Sequence, residues 1–342
     1  MPLPSDRPFI VIGENIHTTR SLTRKSPRFH GIEGQEGLGF ADAAGRNWFL
    51  PISDAIRKGQ DFEEGRIKHL RLAVQTAMDE KSPHRDAAAA YITHMAHLQQ
   101  AAGASYLDLN VDEISIKLAN QKAAMTWLAG FVQSVCPLPL SIDSSNIEVI
   151  AVGIAACRDD RARPLLNSAS LERIDALDLV AGGKGAVVIT ASGMKGMPAG
   201  AADRVENAGR MLEAARTKAI ALGDIHVDPL IFPISVDKTF ALHSLDAMRE
   251  MRRLWGPEIH ITGGMSNVSF GIPYRRAIND LFLKLAIEAG ADSGIIDPVA
   301  HPPDKALAFD PASRAYQLAE DVLLGRDEHC KNYIRAWRKG EF

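Results

Sequence analysis

Acidic, amide or hydroxyl side chains follow each of eight short apolar segments in this sequence, and such side chains can recognise a ligand by hydrogen bonding. A carboxylate accepts hydrogen bonds, whereas a carboxamide both donates and accepts them. Cationic residues are rare at the same positions. The residues are Glu14, Asn15, Asp108, Asn110, Asp143, Ser144, Ser145, Asn146, Asn167, Ser168, Thr190, Ser192, Asp228, Gly263, Gly264, Ser266, Asn267 and Asp297.

A set of carboxylates and amides suits a neutral, flat heterocycle with several N–H donors. A carboxylate accepts two such donors in one plane, and the 2-amino-4-oxo-pyrimidine edge of a pterin presents that arrangement. A phosphate ligand would instead require Arg, Lys or a glycine-rich helix start. Taken singly, each residue has an ordinary structural explanation, because Asn, Asp and Ser often form turns or cap helices, as Asn146 could.

The histidines and cysteines do not predict a metal site. The 11 histidines are scattered, and no pair has the spacing of the H-E-x-x-H motif. His94 and His97 share a predicted helix face, which ordinary packing explains. The three cysteines include no close pair, which argues against a zinc site or a disulfide framework and suits a reducing compartment.

Composition narrows the class of protein further. Hydrophobic residues make up 46% of the 342 residues and charged residues 24%, which is typical of a soluble globular protein. The net charge of −3 provides no basic field for nucleic acid. The apolar run near the N-terminus is too short for a signal peptide or a membrane span. We therefore expect a cytoplasmic protein that binds neither nucleic acid nor membrane.

The elements that position these residues alternate between strands and helices, which predicts parallel strands joined by crossover helices. Eight such units predict a (β/α)8 TIM barrel, in which the strand ends form one active-site face. A doubly wound open sheet is the alternative, but no glycine-rich dinucleotide fingerprint follows the first strand. Strands are predicted at 9–15, 106–111, 138–143, 163–170, 185–190, 225–233, 258–264 and 291–298, and helices at 85–101, 115–135, 146–157, 171–181, 202–223 (ending at Gly223), 238–256 and 274–290.

One segment interrupts this alternation. Residues 20–84 form a long insertion between strand 1 and helix 1, with a predicted helix at 65–79. In a barrel such a loop lies on the active-site face, although a dimer contact or a solvated loop remains the alternative. We expect a single barrel domain over 1–342, a mobile or partner-contacting insertion with a basic cluster at Arg20, Arg24, Lys25 and Arg28, and a C-terminal helical extension over about 312–342.

Five motifs in consecutive order resemble the pterin-binding barrels of methyltetrahydrofolate:corrinoid methyltransferases. They are "GASYLDLNVD", "LPLSIDSSNIEVI", "LLNSAS", "HVDPLIFP" and "GGMSNVSFGIPYRRAIND". The folate domain of cobalamin-dependent methionine synthase belongs to the same group, and dihydropteroate synthase is a more distant relative. The resemblance covers residues from about 8 to 18 and from about 86 to 300.

The resemblance implies roles for individual residues. Asp143, Asn167 and Asp228 would hold the pterin ring, and Asn267 would lie near its N5 atom. Asn267 and Asp228 are then the predicted catalytic residues, with no metal. The predicted folate-contacting set comprises Asp143, Asn167, Asp228, Asn267, Ser266, Arg275, Glu14, Asp108, Asn110, Asn146, Gly263 and Gly264.

The implied activity is methyl transfer between N5 of tetrahydrofolate and the cobalt of a corrinoid (cobalamin). Tetrahydrofolate or 5-methyltetrahydrofolate is the substrate. The corrinoid is expected on a separate corrinoid-binding protein, because the chain has no D-x-H-x-x-G motif: "DIHVDP" at 224–229 carries Pro229 in place of the glycine. A homodimer is also expected. The sequence leaves open the direction of transfer and the ultimate methyl donor.

Two alternatives have different chemistry. Dihydropteroate synthase carries a Lys where Asn267 stands and a basic catalytic motif after its last strand, which "DPVAHPPDK" does not resemble. A synthase-like pterin enzyme is therefore disfavoured. A catalytically idle protein that binds reduced folate is the second alternative, and it predicts folate binding without methyl exchange.

Overall fold

The computed structural model of the protein describes residues 8–32, 34–194 and 196–342. The strands of this part of the chain are β1 (Ile10–His17), β2 (Leu22–Thr23), β3 (Phe29–Ile32), β4 (Gln35–Ala41), β5 (Asn47–Pro51), β6 (Arg66–Ile67), β7 (Tyr106–Asn110), β8 (Leu140–Asp143), β9 (Leu165–Ala169), β10 (Ala186–Thr190), β11 (Ile225–Asp228), β12 (His260–Ile261) and β13 (Ser293–Ile296).

Along the chain, most of the α-helices come between successive strands. They are α1 (Asp54–Arg57), α2 (Gln60–Glu63), α3 (His69–Met78), α4 (Arg85–Ala101), α5 (Leu118–Val135), α6 (Ile147–Ala155), α7 (Ala201–Thr217), α8 (Phe240–Trp255), α9 (Arg275–Glu288), α10 (Pro303–Leu307), α11 (Arg314–Leu323) and α12 (Lys331–Arg338). No helix among the described residues is long and apolar enough to span a membrane.

The main sheet has eight strands in the order β12-β11-β10-β9-β8-β7-β1-β13. The two end strands of this order are also joined, because the Ile295 N–H donates to the Gly263 carbonyl at 2.9 Å. Parallel pairing sets the register, with Asn110 opposite Asp143 and Thr190 opposite Asp228. The predicted (β/α)8 TIM barrel is therefore confirmed.

The chain forms two compact units, which we describe separately. The N-terminal unit is Gly13–Pro164, and the C-terminal unit contains Leu165–Phe342 together with the described residues up to Ile12. The prediction of one barrel domain over 1–342 stays a prediction, and residues 1–7 of that range lie outside the described residues.

The insertion in the N-terminal unit has more regular structure than we predicted. β3, β4 and β5 form an antiparallel sheet, β2 pairs with β6, and α3 corresponds to the predicted helix at 65–79. Leu38 and Leu50 of the three-stranded sheet are fully buried. Phe40 packs edge-on against Tyr91 of α4, with ring centroids 5.0 Å apart. This part of the insertion is therefore a sheet with buried apolar residues packed on α4, and the expectation of a mobile or partner-contacting segment stays a prediction.

Two predicted helices in the C-terminal unit are also corrected. The predicted helix at 171–181 is two stretches of 3-10 helix, Leu171–Leu179 and Ala181–Gly183, with non-helical backbone angles at Arg173. The predicted helix at 202–223 ends at Thr217, because Ala219 adopts a left-handed conformation. Predicted strands 225–233 and 258–264 are shorter in the structure, whereas the C-terminal extension contains α11 and α12.

Candidate functional site

Asp228, in the C-terminal unit, is the carboxylate at the end of β11. Its Oδ1 accepts a hydrogen bond from the Leu230 N–H at 2.7 Å, so the backbone of the next turn fixes the carboxylate. Burial raises the pKa of Asp228 to about 6, against the opposing effects of the Leu230 N–H and the Arg204 charge. Asp228 is therefore an oriented acceptor that is mainly ionised at neutral pH.

Gly263 and Gly264 leave room for this carboxylate and for the Asn267 amide. A Cβ atom on Gly263 would lie 3.1 Å from Oδ1 of Asp228 and 2.6 Å from Cδ1 of Ile231. A Cβ atom on Gly264 would lie 2.8 Å from Nδ2 of Asn267. The adjacent glycines thus allow a carboxylate and a carboxamide to approach consecutive residues of one backbone segment, as the sequence predicted for a pair ending a strand.

Asn267 lies in the 3-10 turn Met265–Ser269 that follows β12. The backbone N–H of Asn267 donates to the Gly264 carbonyl at 3.0 Å, and the carbonyl of Asn267 accepts from the Phe270 N–H at 3.1 Å. The residue is exposed, in contrast to the fully buried Val268 and Ser269 beside it. The turn therefore has a fixed backbone and presents the Asn267 amide to solvent or to a ligand.

Arg204 of α7 supports Asp228, and sequence reasoning did not identify it. The side chain is fully buried. Its guanidinium donates to the Gly200 carbonyl at 2.9 Å and, at 3.5 Å, to the carbonyl of Leu230, a residue with left-handed backbone. Its charge also favours the ionised form of Asp228. Arg204 was not predicted because it lies inside a helix and approaches the site only through the fold.

The other predicted residues of the C-terminal unit follow their strands closely. Asn167 is 8% exposed in β9, and its peptide bond to Ser168 is cis. Thr190 Oγ1 lies 3.0 Å from Ser192 Oγ. Arg275 donates from Nε to Ser269 Oγ at 2.8 Å, and another guanidinium N–H donates to the Ser266 carbonyl. Arg275 therefore holds both ends of the turn that carries Asn267.

His17 and Asp108 form a buried pair in the N-terminal unit. The His17 Nε2–H donates to Asp108 Oδ2 at 2.8 Å, and Asp108 is fully buried. Burial opposes the charged imidazolium, but the hydrogen bond to Asp108 and its charge raise the pKa of His17 above its usual value. Sequence reasoning did not identify His17, although alternation along β1 places it on the same side as Asn15.

Asp143 lies beside this pair and shares its electrostatic environment. The Asn110 Nδ2–H donates to Asp143 Oδ2 at 2.8 Å. Burial and the nearby Asp108 charge raise the pKa of Asp143 to about 7, although His17 and the Asn110 hydrogen bond lower it. The structure thus brings together Asp108, Asn110 and Asp143, and it adds His17 to them.

One imidazole and two carboxylates could hold either a divalent cation or a shared proton. The donor atoms of His17, Asp108 and Asp143 all lie within 4.8 Å of one another, a spacing compatible with a metal ion. In this structure His17 is bonded to Asp108, and Asp143 is bonded to Asn110. The three groups therefore form an electrostatically coupled cluster, and the prediction that the site holds no metal stays a prediction.

The remaining predicted residues of the N-terminal unit have structural partners. Glu14 pairs with Arg20 at 3.1 Å. Asn146 caps α6, because its Oδ1 accepts from the Glu148 N–H at 2.8 Å. Arg24 pairs with Glu36 at 3.1 Å.

The basic residues of the insertion do not act as one cationic patch. Arg20 and Arg24 each pair with a different carboxylate, and the Arg28 guanidinium contacts Met95 Sδ at 3.6 Å. The local basic cluster predicted from the sequence is therefore divided among separate contacts. Each of these contacts ties a basic side chain to a different part of the N-terminal unit.

The D-x-H segment at 224–229 belongs to the interior of the C-terminal unit. His226 is 2% exposed, and its Nδ1 lies 3.0 Å from Ser293 Oγ. Its ring stacks on His260 with centroids 4.6 Å apart. Burial lowers the pKa of His226 to about 3. A histidine held in this way does not fit the exposed ligand that a corrinoid motif would require.

Comparison with known proteins shows which family this sequence matches. The sequence profile of the family described as "Pterin binding enzyme" matches residues 79–297. The chain belongs to this family. The matched region of this pterin-binding enzyme contains Asp143, Asn167, Asp228 and Asn267.

Two curated proteins are similar to this chain over long stretches. It is 29% identical over 276 residues to methylcorrinoid:tetrahydrofolate methyltransferase of Eubacterium limosum, covering 78% of this chain and 92% of that protein. It is 30% identical over 213 residues to methionine synthase of Mycobacterium leprae, covering 58% of this chain and 17% of that protein.

Solved structures support the fold. Dihydropteroate synthase of Xanthomonas albilineans in complex with 7,8-dihydropteroate aligns with a TM-score of 0.51 and 18% identity, over 68% of this chain and 87% of that chain. The Stenotrophomonas maltophilia dihydropteroate synthase aligns with the same TM-score, over 66% of this chain and 87% of that chain. At this identity the alignments establish a shared fold, not a shared reaction.

Proposed function

We propose that this protein is a methyltransferase that moves a methyl group between N5 of tetrahydrofolate and the cobalt of a corrinoid on a separate protein. The observation that carries the proposal is its similarity along 92% of methylcorrinoid:tetrahydrofolate methyltransferase. Membership of the pterin-binding family supports a folate substrate. The buried His226 supports a corrinoid supplied by a partner, because the D-x-H segment is committed to the barrel interior.

The carboxylates and amides would hold the pterin ring. An ionised Asp228, fixed by the Leu230 N–H, would accept from ring N–H groups and orient the pterin. Asp143 would accept similarly, and Asn167 could both donate and accept. The matching motifs and the chemistry of these side chains support each role, together with the fixed orientation of the carboxylates.

Methyl transfer also requires stabilisation of the charge that changes at N5. A neutral tertiary amine is a poor leaving group, so N5 needs hydrogen-bond donation or a proton as the methyl group departs. The corrinoid cobalt supplies the nucleophile that accepts the methyl group, or the donor in the opposite direction. The exposed Asn267 amide on a fixed backbone is suited to donate towards N5, directly or through water.

An assay in both directions tests this proposal. The purified protein is mixed with 5-methyltetrahydrofolate and reduced cobalamin, or with methylcobalamin and tetrahydrofolate, and the cobalamin spectrum is followed. We expect methyl exchange. Tight folate binding with no methyl exchange, either with free cobalamin or with a corrinoid protein, would favour a folate-binding protein that has no catalytic activity. Product from aminobenzoate and a pterin pyrophosphate would favour a synthase.

We also propose a cytoplasmic location and a homodimer. The free thiols of Cys136, Cys157 and Cys330 support a reducing compartment. Cell fractionation tests the location, and light scattering of the purified chain measures the oligomeric state.

A further inference from the structure

A chain of buried polar groups holds the turn that carries Asn267. Ser269, at the end of the turn, is fully buried, and its Oγ donates to Asn279 Oδ1 at 2.6 Å. Asn279 of α9 is 6% exposed, and its Nδ2 lies 3.3 Å from His301 Nε2. The His301 Nδ1 lies 2.6 Å from Asp280 Oδ1. The contacts connect the turn after β12 with the loop after β13.

For the neutral imidazole of His301, each donor and acceptor along this chain can be assigned from its partner. The Asp280 carboxylate accepts, so the His301 Nδ1 carries the hydrogen and Nε2 is an acceptor. The Asn279 amide must then direct its N–H group at His301 and its oxygen at Ser269. The tautomer and amide orientation thus follow from the partners.

The same donor-to-acceptor direction extends to Arg275. Its Nε–H donates to Ser269 Oγ at 2.8 Å, and its guanidinium also donates to the Ser266 carbonyl. Each group therefore donates in one direction, from Arg275 through Ser269, Asn279 and His301 to Asp280. Replacing one group by an apolar side chain would leave buried donors or acceptors unpaired and would let the chain rearrange.

We infer that His301 is a positioning residue for methyl transfer that acts through Asn279 and Ser269. The Asn279 contact holds the Ser269 side chain after Asn267, and Arg275 holds the Ser266 carbonyl before it, while the Asn267 amide remains exposed. A backbone displacement at this turn would misplace the amide without removing the groups proposed to hold the pterin. His301 should therefore influence turnover more than folate affinity. This inference rests on the proposed function.

The primary test replaces His301 by Leu and by Gln. Leu removes both ring nitrogens, whereas a Gln amide can accept from Asn279 and donate to Asp280. We expect His301→Leu to lower kcat by about tenfold or more, because small displacements of a reacting group have large rate effects. The folate Kd should change less than kcat, and His301→Gln should recover much of the lost rate.

A matched control is His97, whose Nε2 donates to the Val135 carbonyl at 2.9 Å. His97→Leu should leave kcat unchanged. Unchanged kcat in His301→Leu, or equal losses in the Leu and Gln variants, would overturn the inference. An inactive wild-type protein would instead contradict the proposed function.

Two further measurements separate positioning from general stability. In an Asn267→Ala background, His301→Leu should have little additional effect on kcat, because its influence passes through Asn267. Hydrogen–deuterium exchange over residues 264–271 should be faster in His301→Leu, and this measurement does not depend on activity. Additive kcat losses together with unchanged exchange would overturn the inference.

Discussion

Asp143 and Asp228 both end barrel strands, but the protein surrounds the two carboxylates differently. Asp143 lies close to the Asp108 charge, which is itself paired with His17. Asp228 accepts a hydrogen bond from the backbone N–H of Leu230 and is close to the charge of the buried Arg204. Burial raises both pKa values, to about 7 for Asp143 and about 6 for Asp228. A neighbouring like charge accounts for much of the difference.

Because of this difference in pKa, Asp143 changes protonation near neutral pH, whereas Asp228 remains mainly ionised. The cluster around Asp143 can share a proton, because its charges are coupled. Asp228 is instead an acceptor oriented by the Leu230 N–H, and Asn267 is an exposed amide on a hydrogen-bonded backbone turn. We therefore expect Asp143 to influence folate affinity and its pH dependence, whereas Asn267 influences the chemical step.

The largest expected effect is on the chemical step. Asn267→Ala should lower kcat by about 10–100-fold, because the amide donates to a group whose charge changes in the transition state. The folate Kd should change much less. Steady-state kinetics and titration of methyltetrahydrofolate measure the two quantities, with the exposed Asn47 replaced by Ala as control. A weaker Kd with normal kcat would contradict a role at N5.

The next effect concerns the groups proposed to hold the pterin. Replacing Asp143, Asn167 or Asp228 by Ala should each cost about 1–3 kcal/mol of folate binding, because a buried partner loses its hydrogen bond. Calorimetric titration of methyltetrahydrofolate into each variant measures the loss. Unchanged affinity in all three variants would reject the pterin assignment.

Proton release on folate binding would distinguish the two carboxylates directly. At pH 7 a group with the pKa of Asp143 is about half protonated, and one with the pKa of Asp228 is about one-tenth protonated. If pterin N–H donors favour the ionised carboxylates, binding releases protons, mainly from Asp143. Calorimetry in buffers of different ionisation enthalpy should detect this release.

Two variants assign the released protons to a residue. Asp143→Asn should reduce the release at pH 7 more than Asp228→Asn does. The opposite ranking would show that Asp228, not the cluster around Asp143, changes protonation when folate binds.

The sequence predicted much of the site because parallel strands repeat a local pattern. Alternation of strands and helices located the carboxylates at strand ends, and two adjacent glycines after a strand are typical of a close approach to the backbone. The structure confirms that approach through the carboxylate of Asp228 and the amide of Asn267. The exact length of β11 was less predictable, because apolar residues continue past its last paired position.

The supporting contacts could not be predicted because they join residues distant in sequence. His17 and Asp108 are 91 residues apart, and His301 and Asn279 are 22 apart. Arg204 lies in the first turn of α7 and reaches Leu230 only when the helix packs on the sheet. Such contacts depend on the register and packing of the complete fold, which local composition does not encode.

The insertion shows how composition can mislead. Its composition predicted a mobile or partner-contacting segment, and for such a segment deletion of residues 22–44 would leave the barrel folded. That deletion would remove most of the three-stranded sheet, including the fully buried Leu38, and leave β5 without its partner strand. We now expect the deletion to destabilise the N-terminal unit, so it cannot test corrinoid docking cleanly.

The smallest expected effect is the pH dependence of stability. A carboxyl group whose pKa is raised by folding contributes stability below its unfolded pKa and loses this contribution as the pH rises through the folded pKa. The window runs from 3.8 to about 7 for Asp143 and from 3.8 to about 6 for Asp228. Asp143 should therefore cause the larger loss, on the order of 1–2 kcal/mol after allowance for its partial exposure.

Thermal unfolding between pH 5 and 8 tests this difference. Asn cannot ionise, so Asp143→Asn should lose less stability than wild type as the pH rises, and Asp228→Asn should show a smaller change in the same direction. Asp143→Asn also removes a charge that raises the pKa of His17, so His17→Gln is measured alongside to separate the two contributions. If the pH dependence of stability changes more in Asp228→Asn than in Asp143→Asn, burial of a carboxylate affects its pKa more than a nearby acidic group does in this protein.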